Sequence, residues 1–408
     1  MRSRSRSTSL LAVGSVASGL GAYLFFSLTT HALGATDAAP VSVLWAWWSF
    51  AGAALTFPVQ HWAIRALAAD GDERRVRATT PWLLVAAVVL AGLSSLVAWL
   101  LRDPLFAGHS GVFPLLMGLV VLGSVANGLV RGLLTGRQRI GTVGASLFGE
   151  NALRCVYAAV LFAAGVTDPA AYGWSLIGGY LVLAFWPGAL WARGGTGPLP
   201  PAEPLLRFLG PASGGQLLAQ GVLTGGPVLL ALAGGSPAEV TSLFAALALF
   251  RAPYTLGTSM VALLTGRFTR LLVAGRHDLV RRAGWQLVGV TAVTLPLAAA
   301  FAWTFGPALL EVVFGEGIDL SRGLTTLVAV GNVLAVAGLV ATTTLLAAGR
   351  AVHLVAFWVG AIAVGSAWWV AVRPGPLPGT VGWFVVVETV AAAMLLTTAV
   401  RSARRVAG

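Results

Sequence analysis

"WLLVAAVVLAGLSSLVAWLL", residues 82–101, carries no charged side chain over its whole length. In a helix that rises 1.5 Å per residue, about 20 residues cover the roughly 30 Å of a bilayer's hydrocarbon core. A membrane-crossing β-strand alternates apolar and polar residues over about ten positions. Neither this run nor "LVGVTAVTLPLAAAFAW", residues 287–303, alternates. Helices are therefore the expected spanning element, because each saturates its own backbone hydrogen bonds where no water can do so.

The rest of the chain repeats this pattern. Apolar residues make up 57% of the 408 positions and charged residues 10%, far below the roughly one quarter usual in soluble proteins. Twelve candidate spans fall near 10–30, 41–63, 81–101, 113–134, 141–165, 172–192, 208–232, 240–264, 284–305, 323–347, 351–372 and 380–400. The fold class is thus an all-α polytopic membrane protein with about twelve transmembrane helices.

A formal charge of +12 raises the possibility of a nucleic-acid partner. The placement of the charges argues otherwise. All 26 basic residues are arginine, and with the N-terminus inside, 21 of them lie in or at the edge of inner segments. Only Arg102, Arg322 and Arg373 fall in outer loops, and Arg154 and Arg251 fall within spans. The bias obeys the positive-inside rule, with both termini cytoplasmic. Trp45, Trp47, Trp48, Trp82, Trp174, Trp285 and Trp383 lie near predicted span ends, where indoles favour the interface. The basic, then apolar, N-terminus has the look of a signal peptide. Its apolar stretch runs on to Thr30, so an uncleaved first span is expected. The single Cys155 lies within a span and says nothing about compartment.

Proline and glycine crowd "RGGTGPLPPAEPLLR", residues 193–207, which reads as a cytoplasmic linker between halves 1–192 and 208–408. A shift of 205 residues lays "IRALAADGDERRVRA" (64–78) over "TRLLVAGRHDLVRRA" (269–283), the loop after the second span of each half. The expected organisation is two six-helix lobes around a central cavity, an arrangement common among transporters.

Polar residues inside the spans are the candidate functional groups. In "LFGENALRC", residues 147–155, Glu150 and Arg154 lie roughly 14 and 20 Å into their span and share a helix face. A charge at that depth costs about 2.5–3.5 kcal/mol on insertion scales, so lipid exposure is excluded and the pair faces other helices or a hydrated cavity. In "LFRAPYTLGTSM", helical spacing puts Arg251, Tyr254, Thr255 and Thr258 on one stripe, and Pro253 favours a kink. The seventh span carries Ser213, Gln216, Gln220 and Thr224 and ends at a helix-interrupting "GGP". The second adds Ser49, Thr56 and Gln60, and the fourth Ser124, Asn127 and Arg131. These stripes can line one hydrated, net cationic cavity, or they can be hydrogen bonds between helices worth about 0.6 kcal/mol each. Glu388 is a lone acid in an apolar run, either a proton or sodium coupling site or a neutral carboxyl bonded to a neighbour. Glu150 is the second coupling candidate.

Enzyme motifs are absent from the sequence: there is no HExxH, GxSxG or Walker loop, and no cluster of histidine and cysteine for a metal. No cofactor is expected. The stretches "ALGATDAAPVSVLWAWWSFAGAALTFPVQHWAIRALA" (32–68), "RGLLTGRQRIGTVGASLFGENALR" (131–154) and "FRAPYTLGTSMVALLTGRFTRLLVAGRHDLVRRAG" (250–284) resemble the polysaccharide flippase branch of the multidrug/oligosaccharidyl-lipid/polysaccharide exporter superfamily. The resemblance implies lobes that open alternately, and a glycan carried on a polyprenyl phosphate or pyrophosphate, with Arg154 and Arg251 on the phosphate. It also implies a bacterial plasma membrane, contact with membrane lipids and envelope glycan-assembly proteins as partners. The first span departs from it in having no basic residue. A multidrug or small-molecule antiporter of the same fold, and a non-transporting envelope scaffold, are the competing expectations.

Overall fold

The computed structural model describes residues 2–70, 72–109, 111–189, 191–193, 211–347 and 352–405. The expected linker lies outside the described residues except for Arg193. Among the described residues there is no β-strand, and the chain divides into two compact lobes, Met1–Gly210 and Pro211–Gly408.

Lobe 1 runs α1 (Arg2–Asp37), α2 (Ala39–Ala51), a π-helical turn (Gly52–Thr56), α3 (Phe57–Asp70), α4 (Arg74–Leu100), α5 (Arg102–Phe106), α6 (Val112–Gly136), α7 (Ile140–Ala163) and α8 (Pro169–Gly178). A 3₁₀ segment, Gly179–Phe185, continues α8. Lobe 2 runs α9 (Pro211–Thr224), α10 (Gly226–Leu232), α11 (Pro237–Phe250), α12 (Ala252–Val273), α13 (His277–Phe314), α14 (Arg322–Ala347), α15 (Val352–Val372) and α16 (Pro376–Arg405).

The described helices follow the order of the expected spans, about twelve in two lobes. Seven described helices are long and apolar enough to cross a membrane, or nine if each of two bent pairs counts as one span. One bend, of 63°, separates α9 from α10 at Gly225, where "GGP" interrupts the seventh span. The other, of 50°, separates α11 from α12 at Arg251, two residues before Pro253. The sixth span ends earlier than expected. Its apolar helix stops at Phe185 and not 192, because Pro187 lacks the N–H that the next turn needs.

The fourth pass is the hub of each lobe. In α6, 67% of the apolar window is buried and in α14 61%, against 22% in α4 and 11% in α13. Helix α6 packs on α3, α4 and the π-turn, and α14 packs on α12, α13 and α16. Glycine at every fourth position brings α3 against α6, since a Cβ on Gly128 would lie 2.6 Å from the Thr56 carbonyl oxygen and one on Gly132 2.6 Å from Ala63 Cβ. In α14, Gly331 lies under the ring of Phe384 from α16.

Replacing Gly132 by valine therefore overpacks the α3–α6 seam, at a cost of about 1–3 kcal/mol. The expected result is a lower thermal midpoint for Gly132→Val in detergent. Gly92→Ala, with nothing within 4 Å of the new methyl, leaves the midpoint unchanged.

Candidate functional site

In lobe 1 the polar residues of α6 and α7 close into one buried network. The Glu150 carboxylate accepts hydrogen bonds from Asn127 Nδ2 at 2.9 Å, from Arg131 Nη2 at 2.5 Å and from Arg154 Nη2. One acid is therefore shared by two cations, which leaves the cluster with a net charge of +1, and the local i,i+4 pattern exposes only the pairing with Arg154. Arg131 also donates Nε to Ser146 Oγ at 3.0 Å. Arg154 donates Nε to the Leu176 carbonyl at 2.8 Å and Nη1 to Asn151 Oδ1 at 3.3 Å, and its guanidinium lies 4.2 Å from the centre of the Trp48 ring. Tyr180, from the 3₁₀ segment, flanks the same guanidinium and shares a hydrogen bond with Ser124 Oγ at 3.0 Å.

Glycines make room for this arrangement. A Cβ on Gly179 would sit 2.4 Å from Arg154 Nε, and one on Gly123 would enter the Tyr180 ring. Exposure is 0% for Arg154, 3% for Glu150, 2% for Asn127 and 5% for Arg131. Such depth is tolerable only because each charge meets an opposite charge and directed hydrogen bonds. Gln60 is half-buried on α3, its carbonyl turned toward Gly132, outside these contacts.

Trp48 and Trp45 correct the interfacial reading of the tryptophans. Trp48 stacks on the buried cation, and Trp45, 3% exposed, packs against Phe25 and Trp48. Tyr180, Asn151, Ser146 and Trp48 belong to the network but were not among the expected site residues. Ser146 stands one helical turn before Glu150, a signal available in the sequence.

Lobe 2 builds a different site. A narrow cleft with room for about one water is lined by Gln216 and Ala219 of α9, Tyr254 of α12, Ala335 and Thr342 of α14, and Glu388 of α16, among others. Gln220 Nε2 donates to the Tyr254 hydroxyl at 3.2 Å. Glu388 is 1% exposed and forms no ion pair with a described residue. The expected stripe of α12 splits here: Tyr254 is buried, whereas Thr255 and Thr258 are exposed. The helix starts anew after Arg251, and Thr255 Oγ1 returns to the Arg251 carbonyl at 3.2 Å. Arg251 is half-buried at the joint itself.

The 205-residue offset also carries Asn127 onto Asn332. Both are 2% exposed, and both keep a buried Oδ1 without a hydrogen-bond partner. Among the described residues no cluster of three or more His, Cys, Asp or Glu side chains could hold a metal.

The two acids therefore respond differently to neutralisation. Glu150→Gln strands two buried arginines and is expected to cost about 3–5 kcal/mol. Glu388→Gln removes no ion pair and leaves the fold intact. Thermal midpoints of the two variants in one detergent check the contrast.

No family sequence profile matches the chain, and no curated protein matches it. Solved structures do. An inward-facing multidrug resistance MATE transporter of the MOP superfamily aligns over 94% of this chain and 95% of its own, at 15% identity and a TM-score of 0.68. An outward-facing structure of such a transporter covers 98% and 96%, at 14% identity and a TM-score of 0.60. A eukaryotic MATE transporter covers 98% of both chains, at 16% identity and a TM-score of 0.59. This membrane protein thus has the fold of the MATE transporters of the MOP superfamily.

Proposed function

We propose that this protein is a secondary transporter that works by alternating access, with Glu388 as the group that takes up and releases the coupling ion. The observation that carries this reading is a buried carboxyl with no cationic partner among the described residues, set in a polar-lined cleft of lobe 2. A buried ionisable group in a membrane domain is costly, and pairing is the usual relief. Glu150 has that relief twice over, which leaves it unsuited to exchange an ion. Glu388 has no such pair.

A proton suits the cleft better than sodium, because a site with room for about one water offers a single carboxylate. Gln216, ahead of the bend at Gly225, and Tyr254, just after the bend at Arg251, line the same cleft as that carboxylate, and Gln220 bonds to the Tyr254 hydroxyl. The cargo that fits best is a small amphiphilic molecule, exported from a bacterium across its plasma membrane with both termini cytoplasmic. The solved neighbours named as multidrug resistance transporters support this choice.

A flippase for a polyprenyl-phosphate-linked glycan is the second reading. Arg251, a half-buried cation at the break of the eighth span, favours it. Arg154, the other cation assigned to a phosphate, is enclosed by Glu150, Asn151, Trp48 and the Leu176 carbonyl.

Reconstitution in liposomes separates these possibilities. With a proton gradient imposed, Glu388→Gln is expected to abolish gradient-driven uptake of a fluorescent cationic amphiphile, and Tyr254→Phe to slow it. Full gradient-driven uptake by Glu388→Gln would reject the coupling role. Translocation of a lipid-linked glycan that Arg251→Ala abolishes, with no amphiphile transport, would establish the second reading instead.

A further inference from the structure

Three segments meet where the chain leaves lobe 1. Glu73, in the turn between α3 and α4, receives a forked pair of hydrogen bonds from Arg137, in the turn between α6 and α7. Arg137 Nε reaches Oε1 at 2.7 Å and Nη2 reaches Oε2 at 2.8 Å. The same guanidinium holds the exit segment, donating Nη1 to the Gly188 carbonyl at 2.8 Å and Nη2 to the Trp191 carbonyl at 3.1 Å. The Arg193 amide completes the ring by donating to Glu73 Oε2 at 2.5 Å. Ala189 and Ala192 pack on apolar clusters beside it.

Isolated ion pairs on a protein surface contribute little. This one differs in geometry. The fork is bidentate, the side chains are only 17% and 13% exposed, and both partners grip the main chain of a third segment. The carbonyls of Gly188 and Trp191 lie beyond the last regular helix of lobe 1, so nothing within that helix satisfies them.

We propose that Glu73 and Arg137 form a clasp that fixes the root of the interlobe chain on lobe 1, so that the connection to lobe 2 starts at Arg193 and not at the end of α8. Its role in transport rests on the function proposed above, but the clasp itself does not. Arg137, bonded to the Glu73 carboxyl, holds that group below its ordinary value of 4.5. A depressed acid contributes its stabilisation above the ordinary value and loses it as pH falls below, so the clasp is closed at neutral pH. Among the described residues Arg193 also acts on the Glu73 carboxylate, and the pair Asp72–Arg74, whose carboxylate and guanidinium lie 2.5 Å apart, adjoins it in sequence.

Trypsin cleavage after Arg193 in the purified full-length protein, quantified by mass spectrometry, tests the clasp directly. Glu73→Gln is expected to speed that cleavage about tenfold, the loss of charge-assisted hydrogen bonds, with cleavage after Arg276 in lobe 2 unchanged. The doubly swapped variant E73R/R137E restores an ion pair but neither accepts the Arg193 amide nor donates to the Gly188 and Trp191 carbonyls. It is therefore expected to recover thermal midpoint without recovering protection. An unchanged rate after Arg193 in Glu73→Gln, equal acceleration after Arg276, or full protection in the swapped variant would each overturn the proposal. None of these outcomes depends on transport.

Discussion

One carboxylate shared by two guanidiniums holds lobe 1 together at a depth where water is scarce. Glu150 lies between Arg131 of α6 and Arg154 of α7, and Arg154 reaches on to the Leu176 carbonyl of α8. Three helices thus meet on one ionic centre. Its stability is conditional, because any charge left behind by the loss of its partner would be buried without compensation. The surrounding glycines belong to the same constraint: Gly179 leaves the space that the guanidinium occupies, and Gly123 leaves the space for the Tyr180 ring beside it.

Lobe 2 gives its buried acid no counter-ion among the described residues. Glu388 is buried as deeply as Glu150 but faces amide, hydroxyl and indole groups, not guanidinium. The two passes that supply the amide and hydroxyl groups are broken, one at Gly225 and one at Arg251. Lobe 1 therefore ties its buried polar side chains into one closed network, whereas lobe 2 leaves a chargeable group in a cleft that two broken passes help to line. Lobes of similar helix order carry different chemistry for this reason. A group that is saturated with partners resists change of charge, and a group without them is governed by whatever enters its cleft.

Twelve helical passes were legible from apolar run length, since an uncharged stretch of about 20 residues has few stable alternatives in a bilayer. The interruptions at "GGP" and near Pro253 were legible too, because proline and glycine act on the backbone locally. The early end of the sixth pass was not: "LVLAFWPGALW" is apolar throughout, and hydropathy does not register the N–H missing at Pro187. The sites were legible in part. Spacing of four residues exposed Glu150 with Arg154 and put Arg131 on one stripe with Asn127, but that Arg131 reaches Glu150 across 19 residues was not readable from either span alone. Trp48 and Trp45 were misplaced because an indole at a span end and an indole over a buried cation have the same neighbours in sequence.

The amino-acid sequence by itself determined the solvent this protein lives in, its helical architecture and which few charged residues lie deep within it. Those properties follow from local sums of hydrophobicity and from backbone chemistry, which no distant contact can reverse. Tertiary structure alone decided which buried charges are neutralised. Arg131 reaches Glu150 across 19 residues, Arg154 reaches the Leu176 carbonyl across 22, and Glu388 meets Tyr254 from another helix without gaining a cation. An electrostatic partner is fixed by distance in space, and only the packed helices set that distance.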